Sequence, residues 1–241
     1  MELVRQSIKV LGKNGTSRLT KDEGKDMLRL IEQAGRTCYK SEWKNEENDF
    51  EKTKKFVKGI ITRGHLSVIE HANVSVRFIT NRGCTHELVR HRLAAYSQES
   101  TRYCNYGNEH VKFIIPPWSE NLTPEIVNCE ITSEGIKFNE LPQEMTTKEI
   151  RWLFAMGQSE NEYQNLINSN QKPQFARGVL PIDLKTEIVM TANLREWRHV
   201  FAMRCQKATH PQIRELMLPV LSCMKARIPI VFDDLEFYYD D

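Results

Sequence analysis

The segment Glu87-Leu88-Val89-Arg90-His91-Arg92, followed by Gln98-Glu99-Ser100-Thr101-Arg102-Tyr103, gathers groups suited to an anionic ligand. Guanidinium forks make bidentate, charge-assisted bonds to phosphate and stay charged at any working pH. The Ser100 and Thr101 hydroxyls add donors. The Gln98 amide both donates and accepts, which suits an amide edge such as that of uracil. Periodicity predicts a helix over Thr85–Leu93, with Leu88, Val89 and Leu93 inward. At about 100° per residue, Arg90, His91 and Arg92 then point three ways and cannot all grip one small anion. They could grip different parts of one long ligand, or ligands shared between subunits. Glu87 and Arg90, three apart, share a face. Ser100 has no base placed beside it, and a serine nucleophile needs one, so a binding hydroxyl is the more economical role.

Other chemistries fit less well. His65, His71, Cys84, His86 and His91 fall close together, but none of their spacings is HExxH or paired CxxC, and no metal site is expected. Arg90, Arg92 and Arg102 with Tyr96, Tyr103 and Tyr106 mix basic and aromatic residues as single-strand binders do. The formal net charge is only +2 and no RNP, KH or helix-turn-helix pattern is present, so nucleic acid is not expected as a partner. There is no GxGxxG or GxxxxGK[ST] turn for a Rossmann or P-loop site. An isolated Arg-His-Arg triplet is more often a solvated helix face.

The elements that must position these residues are mixed. Strands are expected at Ser7–Leu11, Asn73–Thr80, Lys112–Ile115 and Glu187–Ala192, the second alternating Val74, Val76 and Phe78 against Ser75 and Arg77. Helices are expected at Met27–Cys38, Glu46–Arg63 (stopped by Gly64), Thr147–Ser169, Leu194–Cys205 and Pro211–Ala226. Residues 118–146 read as polar and irregular. Without regular βαβ alternation, the fold class is α/β of the mixed α+β kind, one domain over residues 1–241. With 241 residues, 27% charged and 40% hydrophobic, the chain can bury a substantial core. Six cysteines without a CxxC pair read as reduced thiols in a cytoplasmic protein, and lone cysteines are more often small core residues than nucleophiles. No leader and no apolar run of membrane-spanning length is expected.

Taken whole, the run resembles the RHR-x7-S signature of the flavin-dependent thymidylate synthases (ThyX-like proteins), with the serine at Ser100 and Arg102-Tyr103 after it. The resemblance continues upstream in Gly64-His65-Leu66-Ser67-Val68-Ile69-Glu70-His71. Downstream it continues in Arg177-Gly178-Val179-Leu180-Pro181, Asn193-Leu194-Arg195-Glu196-Trp197 and Arg204. It covers about residues 50 to 226. It implies a central, mostly antiparallel sheet flanked by helices, and reductive methylation of dUMP to dTMP. The carbon donor would be 5,10-methylenetetrahydrofolate, FAD the hydride carrier and NADPH the reductant. It also implies a homotetramer with active sites shared between chains.

By resemblance, Ser67, Arg90, His91, Arg92, Gln98, Asn193, Leu194, Arg195 and His199 would line the FAD site. Glu87, Leu88, Val89, Arg90, Gln98, Glu99, Ser100, Thr101, Arg102, Arg177 and Arg204 would hold dUMP. Arg204, His65 and Ser100 would lie at the chemistry: Arg204 against the uracil, His65 near the flavin ring. The other type of thymidylate synthase attacks with a cysteine that follows a proline. None of the six cysteines does so, and no covalent cysteine nucleophile is expected. Gln98 stands where some members have Glu, and Glu87 where some have Gln. These read as compensating exchanges in one pocket.

Overall fold

The computed structural model describes residues 1–12, 18–41, 50–132, 135–138 and 145–237, with 129–132 and 135–138 described as backbone alone. The chain divides into two compact units. The first comprises Met1–Ser7, Ile79–Leu88 and Gln98–Ile188; the second comprises Ile8–Phe78, Val89–Ser97 and Val189–Asp241. The architecture is mixed α and β, with an antiparallel sheet flanked by helices. Strands β2 (Ser7–Leu11), β3 (Asn73–Asn81), β8 (Lys185–Asn193) and β4 (Ala94–Gln98) form a four-stranded sheet in the order β2-β3-β8-β4. β3 buries Val74, Val76 and Phe78 at every second position, and β8 does the same with Thr186, Ile188, Met190 and Ala192, the period of two that a strand imposes.

In the first unit, β1 (Glu2–Val4) pairs in parallel with β5 (Lys112–Ile114), Leu3 opposite Phe113. These residues join Ile115, Leu122, Leu153, Met156 and Tyr163 in one core. The last three lie on α4 (Thr147–Asn168), which the short α5 (Pro173–Ala176) follows. The start of α4 is fixed by a capping box in which Thr146 accepts from the Glu149 backbone and Glu149 reaches back to Thr146 N. The N-cap is thus Thr146, one residue before the expected start. β6 (Cys129–Thr132) and β7 (Gly135–Phe138) form an antiparallel hairpin inside the stretch expected to be irregular.

In the second unit, α1 (Lys21–Cys38) packs on α2 (Phe50–Thr62), and α6 (Leu194–Arg204) on α7 (Pro211–Arg227). α1 begins six residues earlier than periodicity suggested, because Thr20 and Glu23 form a second capping box. The part of the expected Glu46–Arg63 helix before Phe50 lies outside the described residues. Gly64 ends that helix with φ +71°, as expected. The 3-10 turn Leu66–His71 packs against α1 and α6. Trp197 and Phe201 stack at 5.6 Å, and Trp197 Nε1 donates to Val74 O.

One expected element is shorter than its pattern. α3 spans Arg82–Leu88, and the chain turns at 89–90 before β4. Val89 and Leu93 are 40% and 74% exposed, not inward. The His91 carbonyl accepts from Tyr96 Oη at 2.8 Å, which replaces a helical partner four residues on. Arg90 and Arg92 therefore project from a turn, while His91 is buried.

Candidate active site

In the second unit, His91 is the centre of a polar cluster. It is 4% exposed. Its Nε2 accepts from Arg204 Nε at 3.0 Å, Glu196 Oε1 lies 3.6 Å from its Nδ1, and His199 meets its ring edge-on at 5.8 Å. Arginine can only donate, so Nε2 holds the lone pair and the imidazole proton sits on Nδ1, facing Glu196. Burial, then Arg204 and His199, push the imidazole down to about 4, so it is neutral at neutral pH and able to accept. Burial raises the Glu196 carboxyl. His91, Glu196 and His199 bring ligand-type atoms within 4.8 Å of one another. In this arrangement the Arg204 bond occupies the His91 Nε2 lone pair.

The remaining second-unit residues are placed by their elements. Asn193 caps α6, its Oδ1 accepting from Glu196 N at 2.8 Å. Leu194 is fully buried. Arg195, at the start of α6, pairs with Glu70 at 2.6 Å in an exposed bridge. Ser67 and His65 lie exposed on and before the 3-10 turn, with His65 Nδ1 2.8 Å from Tyr39 Oη. Arg90, Arg92 and His199 are exposed.

The first unit holds another cluster. Asn81 Oδ1 accepts from Cys84 N and anchors the start of α3; Asn81 is itself tied to Asp183. α3 carries Glu87, half-buried, and Leu88, fully buried. Gln98 Nε2 reaches Thr85 and Thr186. The Glu99 carboxylate accepts from Tyr106 Oη at 2.6 Å and Lys185 Nζ at 3.0 Å. Burial and that Glu99 bond hold the Tyr106 phenol far above its ordinary value. Burial opposes the Lys185 charge, but Glu187 and Glu99 outweigh it and raise the ammonium. Ser100 opens a turn and its Oγ accepts from Arg102 N at 3.3 Å. Among the described residues no imidazole or carboxylate bonds to that hydroxyl. Arg177 Nη1 donates to the buried Thr101 Oγ1 at 3.1 Å. Arg102 is exposed over the Tyr103 ring.

Sequence reasoning missed Glu196, Thr85, Thr186, Arg82, Tyr106 and Lys185. Glu196 had a signal, since it stands three residues before His199 and so shares its helix face. The others come together through strand register between distant segments, which one sequence does not display.

Each unit thus carries a cluster of arginines and other polar side chains, groups suited to anionic ligands. The family described as thymidylate synthase complementing protein matches residues 19–230. The flavin-dependent thymidylate synthase of Mycobacterium sp. (strain KMS) is 37% identical over 213 residues, 87% of this chain and 80% of that protein. That of Mycobacterium marinum is 36% identical over 209 residues, 86% and 79% of the two chains. In fold, the chain is similar to the UMP/dUMP methylase PolB from Streptomyces cacaoi, with TM-score 0.66 and 18% identity, covering 97% of this chain and 96% of that one. This chain belongs to the flavin-dependent thymidylate synthase family.

Proposed function

We propose that this chain catalyses the reductive methylation of dUMP to dTMP, with 5,10-methylenetetrahydrofolate as carbon donor, FAD as hydride carrier and NADPH as reductant. The observation that carries this is the family match, which runs through both units from residue 19 to residue 230. It supports reading residues 1–241 as one working domain.

The residues fit a flavin nucleotide by the chemistry of their donors. Arg90, Arg92 and Arg195 present guanidiniums, Ser67 a hydroxyl and His199 an imidazole, all exposed in the second unit and suited to a pyrophosphate. The Arg195–Glu70 bridge is exposed at both ends and worth at most about 1 kcal/mol, so a doubly charged anion can recruit that guanidinium. Asn193 and Leu194 set the start of α6, which carries Arg195 and His199. FAD, when bound, supplies the hydride chemistry. His65 would lie beside it, where folate and nicotinamide approach.

For dUMP, Ser100, Thr101, Arg102 and Arg177 supply phosphate donors; Glu87, Leu88, Val89, Arg90, Gln98 and Glu99 surround the nucleotide. Arg204 would face the uracil. His91 orients its guanidinium, which can offset negative charge growing on N3 and O2 as C5 becomes nucleophilic. Ser100 binds and does not attack. No cysteine acts as nucleophile, and burial pushes the Cys205 thiol up to about 12. The enzyme works as a cytoplasmic homotetramer with active sites shared between chains. Among the described residues, no helix is long and apolar enough to cross a membrane.

The test is purified protein with a flavin spectrum that bleaches under NADPH, and dTMP formation that requires dUMP, the folate and a reductant together. A colourless protein unable to take up FAD, or turnover indifferent to the folate, would sink the reading.

A further inference from the structure

The amide of Gln98 is held by two buried hydroxyls. Its Nε2 lies 2.9 Å from Thr85 Oγ1 and 3.3 Å from Thr186 Oγ1. The two threonines are 0% and 1% exposed. Amide nitrogen and oxygen are distinguished by their partners, and here the partners decide. Thr85 Oγ1 lies 2.9 Å from the Arg82 carbonyl. A carbonyl oxygen only accepts, so the Thr85 hydroxyl proton is committed to it. Thr85 Oγ1 is then an acceptor, and the Gln98 atom facing it must be the NH2. Turned over, Oε1 would meet an oxygen with no proton to give. The second Nε2 hydrogen goes to Thr186 Oγ1, which also receives Arg82 Nη1 at 3.5 Å. Both amide donors are consumed. The group Gln98 presents to a ligand is Oε1, an acceptor.

We propose that Thr85 and Thr186 make Gln98 an acceptor-only residue, and so determine specificity for ligands bearing an imide N–H, a donor flanked by two carbonyls. This rests on the functional reading above, in which Gln98 meets the nucleotide and the flavin. The uracil of dUMP and the isoalloxazine of FAD both carry that group. Cytosine would turn its N3 lone pair toward Oε1 and be repelled. An ionised glutamate is also acceptor-only. Gln98, with its nitrogen tied to two threonines, presents the same face without the charge. The exchange of Glu for Gln at this position is thereby chemically conservative.

The test pairs ligands that differ at the imide: dUMP against 3-methyl-dUMP and dCMP on flavin-loaded protein, and FAD against 3-methyl-FAD on apoprotein, all by calorimetry. The wild type prefers the imide ligand by about tenfold or more, the scale of an opposed polar contact. Thr85→Val lets the amide turn over, and the preference falls by about tenfold, while Thr85→Ser, which keeps the hydroxyl, retains it. A change confined to the dUMP series assigns Oε1 to the substrate; one confined to the FAD pair assigns it to the cofactor. Without ligand, the Gln98 side-chain amide protons exchange slowly in the wild type and fast in Thr85→Val. Thr85→Ala, which removes the same hydroxyl with less bulk, serves as a second variant should Thr85→Val fail to fold. Unchanged preference in a folded variant, or Gln98 protons that exchange freely in the wild type, overturns the proposal alone. A protein that binds neither FAD nor dUMP overturns the functional reading and this proposal with it.

Discussion

Ser100 and His91 show how single side chains take their roles from their partners. The Ser100 hydroxyl accepts from Arg102 N inside its own turn, so its lone pairs help shape the loop that carries Thr101 and Arg102. Ser100→Ala should therefore keep measurable turnover while the Kd for dUMP rises about tenfold, the worth of one hydrogen bond to a charged ligand. Loss of all turnover with dUMP and FAD binding intact would restore the nucleophile role. His91 makes a pH prediction. Its folded pKa, about 4, lies below the ordinary 6.5. Between those values the unfolded chain binds the extra proton, so stability is present above 6.5 and is lost as pH falls toward 4. The shift bounds this contribution at roughly 3 kcal/mol. Protonation also cancels the Arg204 bond by occupying Nε2. Glu196, raised by burial, titrates with the opposite sign nearby. The informative quantity is thus the difference between wild type and His91→Gln: urea unfolding from pH 6.5 to 4 should be steeper for the wild type. Parallel profiles would place the proton elsewhere.

At the scale of elements, close approach sets the strongest constraint. α1 crosses the end of α7 so tightly that a Cβ on Gly24 would sit 1.8 Å from the Arg227 carbonyl oxygen. Backbone cannot yield as a side-chain tip can, so Gly24→Ala should cost about 2 kcal/mol or more, read as a lower urea midpoint with unchanged slope. A variant as stable as the wild type would mean that the helices slide apart freely. This crossing was invisible in the sequence, where Gly24 lies before the expected Met27–Cys38 helix. The strands were legible, because Val74, Val76 and Phe78 alternate in a run with one buried face. α6 was legible too, since Asn193 and the Glu196 three residues on mark its start. The end of α3 was not. Leu88, Val89 and Leu93 fit a helical face, and only the Tyr96 bond to the His91 carbonyl reveals that the chain has turned into β4. Arg90 and Arg92 are exposed and His91 is buried, and the helix expected to carry all three has already ended at Leu88.

At the scale of the whole molecule, the functional residues sort along the chain in a way that no single motif suggests. Of the flavin set, Ser67, Arg90, His91, Arg92, Asn193, Leu194, Arg195 and His199 fall in the second unit and Gln98 in the first. Of the nucleotide set, Glu87, Leu88, Gln98, Glu99, Ser100, Thr101, Arg102 and Arg177 fall in the first, and Val89, Arg90 and Arg204 in the second. The Arg-His-Arg run lies wholly in the second unit, two residues beyond Leu88, where a segment of the first unit ends. The proposed sharing of active sites between chains makes this sorting testable. Arg177→Ala impairs the nucleotide set of a chain, and Arg92→Ala the flavin set of another; each homo-oligomer should be nearly inactive. If one centre draws its nucleotide residues from one chain and its flavin residues from a second, random mixed oligomers contain some centres with neither defect. Each intact half is present with a chance of one in two, so co-expressed variants should recover roughly a quarter of wild-type activity. A chain that carries both substitutions, mixed one to one with wild type, should likewise leave roughly a quarter of the centres intact, against a half if each centre lay within one chain. If every centre is instead built within one chain, no mixture of the single variants can assemble an intact one, and activity would stay at the sum of the two parents.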